Sequence, residues 1–172
     1  MTPNDDAKHD AKGALPSERF EGRVAFQDVV RQALATAAAE GWREFIISDP
    51  SFEDWPLAER ATVQSLQDWS ATGRRFVILA KNYDELLRRH ARFVNWRRTW
   101  GHIIEARACP SASALDIPSA IWSPGWVMHR LDPERCTGFS GSEAGRRVAL
   151  RETLNEWLAR SSPSFPASTL GL

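Results

Sequence analysis

Asp49, Glu53 and Asp54 follow directly on the apolar run FII at 45–47, within the stretch SDPSFEDWP. Ligands of α/β folds collect at the carboxyl ends of strands, so carboxylates placed there could act as acid or base, or hold a metal. A local role competes with that chemistry. Asp49-Pro50 is a common turn and Asp54 is a plausible helix cap, and these turn and cap roles are the leading reading.

The four histidines are His9, His90, His102 and His129. None forms an i, i+4 pair or an HExxH motif, and neither Cys109 nor Cys136 belongs to a CxxC pair, so the spacing shows no metal site. A catalytic reading would draw His90, His102 and His129 together with Asp49 or Glu53 for phosphotransfer or phosphodiester hydrolysis. It requires these groups to converge in one cleft. GxSxG and SxxK are both absent, so no nucleophile is visible. TGFSGSEAG places three glycines and three hydroxyls before a helical pattern, where Ser140 and Glu143 have capping-box spacing. A glycine-rich helix start can also receive a phosphate. The stretch lacks the P-loop lysine and Rossmann spacing, so capping is favoured and no cofactor is expected.

The segment RRHARFVNWRRTWGH at 88–102 carries five arginines, Arg88, Arg89, Arg92, Arg97 and Arg98, among aromatic residues. On a helical wheel Leu86, Phe93, Trp96 and Trp100 share one side and the arginines lie mostly elsewhere, as in a helix with one buried face. The tryptophans therefore read as core rather than as base-stacking platforms. From Arg74 to Arg107 nine basic residues stand against three acidic ones, whereas Arg43 is the single base among six acids between Glu40 and Glu59. Internal pairing of these two regions, or a solvated face, is the leading reading. A phosphate or nucleic-acid surface formed by the five arginines is the alternative.

The elements that must position these groups follow from the pattern of apolar residues. The chain has 172 residues, 42% hydrophobic and 26% charged, enough for one domain with a sizeable core. Its 22 basic and 22 acidic side chains cancel, so no global field directs it to polyanions or membranes. No apolar run has the ~18 residues of a membrane span, and the lead-in 1–17 has no signal-peptide core and reads as disordered. Two cysteines without a secretion signal read as reduced thiols, and a cytoplasmic location is expected.

Helical spacing predicts a helix over about 24–40, then a buried strand at 45–47 and a helix opened by Pro56. A second strand follows at 76–80, then the arginine-rich helical segment and a third strand in HIIEARA. SAIWS, WVMHRL and CTGFS are further strands, and a helix over about 143–160 closes the domain, assigned to 18–160. The tail 161–172 is expected to be extended. This order predicts a single α/β sandwich whose sheet is mixed but mostly parallel, with helices on both faces.

The succession FIIS-DPSFEDWPL, RRFVILAK, HIIEARA, DIPSAIWSPGWVMHR and a final helix resembles a half-domain of the phospholipase D superfamily over about 24–160. It is also similar to proteobacterial proteins that lack the HxK motif. Where the superfamily carries its histidine and lysine, Ile117 and Ser119 stand here, and His129 has no lysine two residues on. The resemblance thus implies a degenerate, non-catalytic member, and pairing of such half-domains implies a homodimer. The resulting expectation is a non-catalytic α/β module that binds a partner protein or a phosphate-bearing ligand.

Overall fold

Phe45 and Ile47 point into one apolar cluster and Ile46 into another, which is why this run is apolar throughout rather than alternating. The same division holds in the neighbouring run, where Phe76, Ile78 and Ala80 face one way and Val77 and Leu79 the other. Both runs are central strands of a sheet covered on two sides.

The computed structural model describes residues 14–166. In chain order the elements are β1 (Arg19–Phe20), α1 (Arg23–Glu40), β2 (Glu44–Ser48), α2 (Arg60–Ser70), β3 (Arg75–Ala80), α3 (Asp84–Arg89) and α4 (Ala91–Thr99). They continue with β4 (Ile104–Ala108), β5 (Ser119–Trp122), β6 (Val127–Asp132), β7 (Thr137–Gly141), α5 (Ala144–Arg160) and β8 (Ser162–Pro163). The strands form one eight-stranded sheet in the order β1-β7-β6-β5-β2-β3-β4-β8. Helices α1 to α4 supply one face, with Phe26, Val30, Leu34, Leu66, Trp69, Leu86, Phe93 and Trp96 in the larger core cluster. Helix α5 covers the other face through Leu150 and Leu154, with Trp157 and Leu158 partly buried beside them.

The expectation of a mostly parallel sheet is corrected. Only β2–β3 and β3–β4 are parallel, and the other five pairings are antiparallel. After β4 the chain crosses to the far side of β2, where β5 pairs antiparallel with it and tight connections add β6 and β7. Apolar runs do not record direction, because a strand buried on both faces looks alike either way. The edge strands β1 and β8 have two residues each, too few to leave an alternating pattern.

Local signals place several boundaries differently from the sequence reading. Helix α2 begins after Glu59, not at Pro56, which lies in the preceding turn. The arginine-rich segment is two helices broken at His90, whose backbone leaves the helical region (φ −121, ψ 54). Ser140 does not cap α5; it is in β7 and its hydroxyl donates to the Pro16 carbonyl at 2.9 Å. Trp126 Nε1 donates to that carbonyl as well, at 3.0 Å, so residues 14–17 of the expected lead-in lie against the sheet. Residues 1–13, and Leu170 of the tail, are outside the described residues. At the β6–β7 pairing, a Cβ on Gly138 would lie 2.1 Å from the His129 carbonyl oxygen, so glycine alone permits this close approach beside the bulge at Arg130/Asp132.

Candidate functional site

The expected carboxylates lie at the carboxyl end of β2, and one of them is already engaged. Asp49 is buried and accepts the Ser51 and Phe52 amides on one oxygen, at 3.1 and 2.8 Å. Its other oxygen takes Arg130 Nη2 at 2.9 Å. Arg130 comes from β6 and is 4% exposed. Its Nε donates to Ser119 Oγ at 3.0 Å and its Nη1 to Asp54 at 3.2 Å, while the guanidinium lies 4.2 Å from the Phe26 ring centroid. Every nitrogen of this buried cation is thus bonded to the chain, which is what keeps a buried ion pair tolerable. Phe52 and Cys136, non-glycine residues at φ 59 and 52, adjoin the pair. Such backbone costs about 1–3 kcal/mol per residue and persists where surrounding bonds hold it. The Asp49–Phe52 bond holds the first, and a 3.5 Å contact from Arg130 reaches the thiol of the second.

Arg130 was missed in the sequence although a signal was present. Met128 and Arg130 share a strand face by alternation, and Met128 is in the core, so a charge at 130 falls at an inward position. Asp54 serves this network and Arg23 rather than capping α2. Its carbonyl accepts from Gln27 at 2.8 Å.

The histidines proposed for catalysis are dispersed. His90 is buried on the helix side of the loop at 49–54, and its Nε2 donates to the Phe52 carbonyl at 2.8 Å. His129 shares a register line with Ala120 and Phe139 on the α5 face of the sheet. His102 is exposed at the opening of β4, 5.7 Å from the Trp100 ring. Glu53 is exposed and pairs with Arg89 at 3.1 Å. The fold therefore brings Asp49, Glu53 and His90 to one loop but places His102 and His129 elsewhere. Among the described residues no group of three His, Cys, Asp or Glu side chains is arranged to hold a metal. Cys109 and Cys136 are free thiols, both buried.

Burial pushes both His90 and His129 below the ordinary histidine range. The sign follows directly: the unfolded chain takes up protons below pH ~6.5 that these rings resist in the folded state, so stability declines as pH falls from about 7 toward 5. Each ring contributes a slope of up to ~1.4 kcal/mol per pH unit. Urea midpoints at pH 7.5, 6 and 5 should drop for the native chain and flatten in a His90→Gln, His129→Gln double variant. An unchanged decline in that variant would assign the acid sensitivity to the carboxylates.

The five arginines divide sharply. Arg88 and Arg89 are held by Glu85 at 3.0 and 2.7 Å, and the Arg89–Glu53 pair joins the basic and acidic regions of the sequence. Arg97 is buried and donates to the Phe165 carbonyl at 3.1 Å. Arg92 and Arg98 stay exposed, and Arg92 donates to the Ala58 carbonyl at 2.8 Å. The apolar partners are core, as the wheel predicts, for three of the four: Leu86, Phe93 and Trp96 are buried and Trp100 is half-buried.

Between α2 and α4 runs an open groove of about 410 Å³ lined by Arg60, Gln64, Gln67, Arg92, Asn95 and Thr99 over a floor of Val63 and Trp96. The lining is polar and cationic, and no carboxylate belongs to it. Glu59, next to it in sequence, is occupied by Arg31 at 2.8 and 2.6 Å, which holds its carboxyl below the ordinary range. Gln67 accepts Trp100 Nε1 through its carbonyl oxygen at 2.9 Å, so its amide NH₂ remains free to donate. Residues 60, 64 and 67 form one stripe of α2 at i, i+4, i+7, and 92, 95 and 99 one stripe of α4 at i, i+3, i+7, so the groove was legible as two polar helical stripes.

No protein-family model matches the chain, and no curated protein matches it significantly. Among solved structures, its fold is similar to that of TrmBL2, described as an archaeal chromatin protein with a novel mode of DNA binding. The TM-score is 0.66 at 14% identity, and the likeness spans 91% of this chain but 57% of TrmBL2. At that identity it establishes likeness of fold. It overturns the phospholipase D resemblance, and with it the support that the resemblance lent to a degenerate-hydrolase lineage and to a homodimer. The order of elements misled because many sheet topologies share one succession of helices and strands. Among the described residues no helix is long and apolar enough to cross a membrane.

Proposed function

We propose that this chain is a non-catalytic α/β binding module whose ligand is the phosphate backbone of nucleic acid, held in the groove between α2 and α4. The observation that carries this reading is the groove lining: Arg60 and Arg92 with three side-chain amides and a threonine hydroxyl, and no carboxylate among them. Arginine and amide donors facing one channel suit phosphate oxygens, which accept several hydrogen bonds at once. Arg98 is exposed on another side of α4, beside the tail, and Arg88, Arg89 and Arg97 are committed elsewhere. The fold likeness to a DNA-binding chromatin protein agrees with this ligand class without carrying it. His90, His102 and His129 sit on different elements, which favours the binding reading over the phosphotransfer alternative.

Fluorescence anisotropy of labelled duplex DNA, single-stranded DNA and RNA, titrated at low and physiological salt, tests the proposal. Binding should weaken linearly in log salt, and an Arg60→Ala, Arg92→Ala variant should lose affinity on every sequence and reduce the slope by about 2 for a duplex. Flat traces for all three at low salt would overturn it, as would an unchanged slope in the variant. In the latter case the phosphates contact another face.

A further inference from the structure

The chain after α5 turns back along the free edge of β4. Ser162 and Pro163 pair with Ala108 and Arg107, and the Ser164 amide donates to the Ala106 carbonyl at 3.0 Å. Phe165 then enters the left-handed region (φ 47) and turns its ring inward, stacked on Tyr83 at 4.9 Å and 18°. Tyr83 is itself fixed, its hydroxyl 2.8 Å from the Arg107 carbonyl. Tyr83 follows the carboxyl end of β3, while the antiparallel tail carries Phe165 past Ala106 toward the amino end of β4.

Beneath Phe165 is a cation without a counter-charge. Arg97 is 5% exposed, and no acidic side chain among the described residues pairs with it. One nitrogen donates to the Phe165 carbonyl and the guanidinium lies 5.6 Å from the Phe165 ring centroid, but Nε and Nη1 are buried with no partner. A buried guanidinium with two unmet donors is costly, and it is a site built for an anion. Two cavities flank the tail. One, of about 440 Å³, is lined by Arg97, Arg107, Ser164 and Pro166, and the other, of about 290 Å³, by Lys81, Arg98, Tyr83 and Phe165. Glu105 and Asp84 border them, and Glu105 is taken by Arg75 at 3.0 Å. Ser164 and Pro166 line both, so the tail is the wall between them.

We propose that Phe165 is a displaceable plug over a binding site for a small aromatic anion, a planar ring bearing a phosphate or a carboxylate. The incoming ring takes the place of Phe165 on Tyr83, and its anionic oxygens receive the free Nε–H and Nη1–H donors of Arg97. Lys81, Arg98 and Arg107 surround the opened cavity with positive charge. The two-residue pairing of β8 is the weak element that releases, since an edge held by so few bonds opens at low cost. This site is separate from the α2–α4 groove and does not depend on it.

Calorimetric titration with phenyl phosphate and with benzoate, on the native chain and on Phe165→Ala, tests the idea, with inorganic phosphate as the ring-free control. Removing the plug should raise affinity for the matching aromatic acid by about tenfold, because a closed site lowers apparent affinity by its open fraction. Arg97→Gln should abolish binding. In the native chain, saturating probe should also speed hydrogen exchange at the Ser164 amide. Whichever acid binds tighter identifies the anion. Absence of binding to a folded Phe165→Ala variant would overturn the proposal, as would equal gain for inorganic phosphate. If that variant does not fold, unchanged Ser164 exchange in the native chain at millimolar probe would overturn it.

Discussion

Replacing Arg130 with leucine should lower the stability of the fold by about 3–5 kcal/mol, the cost of stranding one partner of a buried ion pair. The leucine fills part of the space but leaves the Asp49 carboxylate at 2% exposure without its cation. It also leaves Ser119 Oγ, which receives Arg130 Nε at 3.0 Å, without that donor, and Asp54 without the 3.2 Å bond that draws the loop at 49–54 onto β6. The loss propagates to Phe52, whose left-handed backbone depends on Asp49. Total stability of a domain is typically about 5–15 kcal/mol, so the variant should sit close to unfolding at 25 °C. Urea denaturation with unchanged m-value would read the difference. Asp49→Ala should be damaging too, because it orphans the Ser51 and Phe52 amides, although Arg130 keeps Asp54. A cost below ~1 kcal/mol for Arg130→Leu would place this network among surface-like pairs and remove its role as the tie between the loop and the sheet. The same network ties Asp49 and Asp54 to Arg130 and so locks the loop at 49–54 onto β6. An oxygen that accepts two amides and an oxygen that accepts a guanidinium leave little for a substrate.

Phe76→Ala should cost a similar amount, about 3–5 kcal/mol, through the cavity it opens. Phe76 is fully buried in β3 at the centre of an aromatic cluster, with ring centroids of Phe45 at 4.6 Å, Trp96 at 5.7 Å, Trp69 at 6.0 Å and Phe93 at 6.5 Å. These partners come from β2, α2 and α4, so one truncation loosens the contacts that hold both groove-forming helices to the sheet. Trp96 shows the constraint most clearly: its ring forms part of the groove floor while its Nε1 donates to Ser70 Oγ at 3.1 Å. Thermal melts should show a lower midpoint with intact cooperativity. Nucleic-acid affinity of the folded fraction should fall only as far as the α2–α4 spacing shifts. A loss of all binding with stability preserved would instead mean that the aromatic residues contact the ligand, reversing their assignment to the core.

Helix and strand positions were largely legible in the residues, because burial imposes periods of 3.6 and 2 that apolar side chains must follow. The stripe Phe26, Val29, Val30, Ala33, Leu34 and Ala37 of α1 is buried as its spacing requires, and Gly41 ends the helix in the left-handed conformation (φ 64). The wheel of α4 assigned Phe93 and Trp96 to the core, and internal pairing of the basic and acidic regions takes concrete form in Arg89–Glu53. What a period cannot encode is direction or distant partners. That β5 would meet β2 antiparallel, that Arg130 would reach Asp49 across 81 positions of chain, and that Phe165 would cover Arg97 from 68 positions away are all long-range outcomes. Each depends on which surfaces meet when the sheet closes, not on any local preference. The division of the arginines has the same origin. Five guanidinium groups within eleven residues are equivalent as a sequence, and only packing decides which are spent on Glu85 and Glu53, which is buried, and which are left facing solvent.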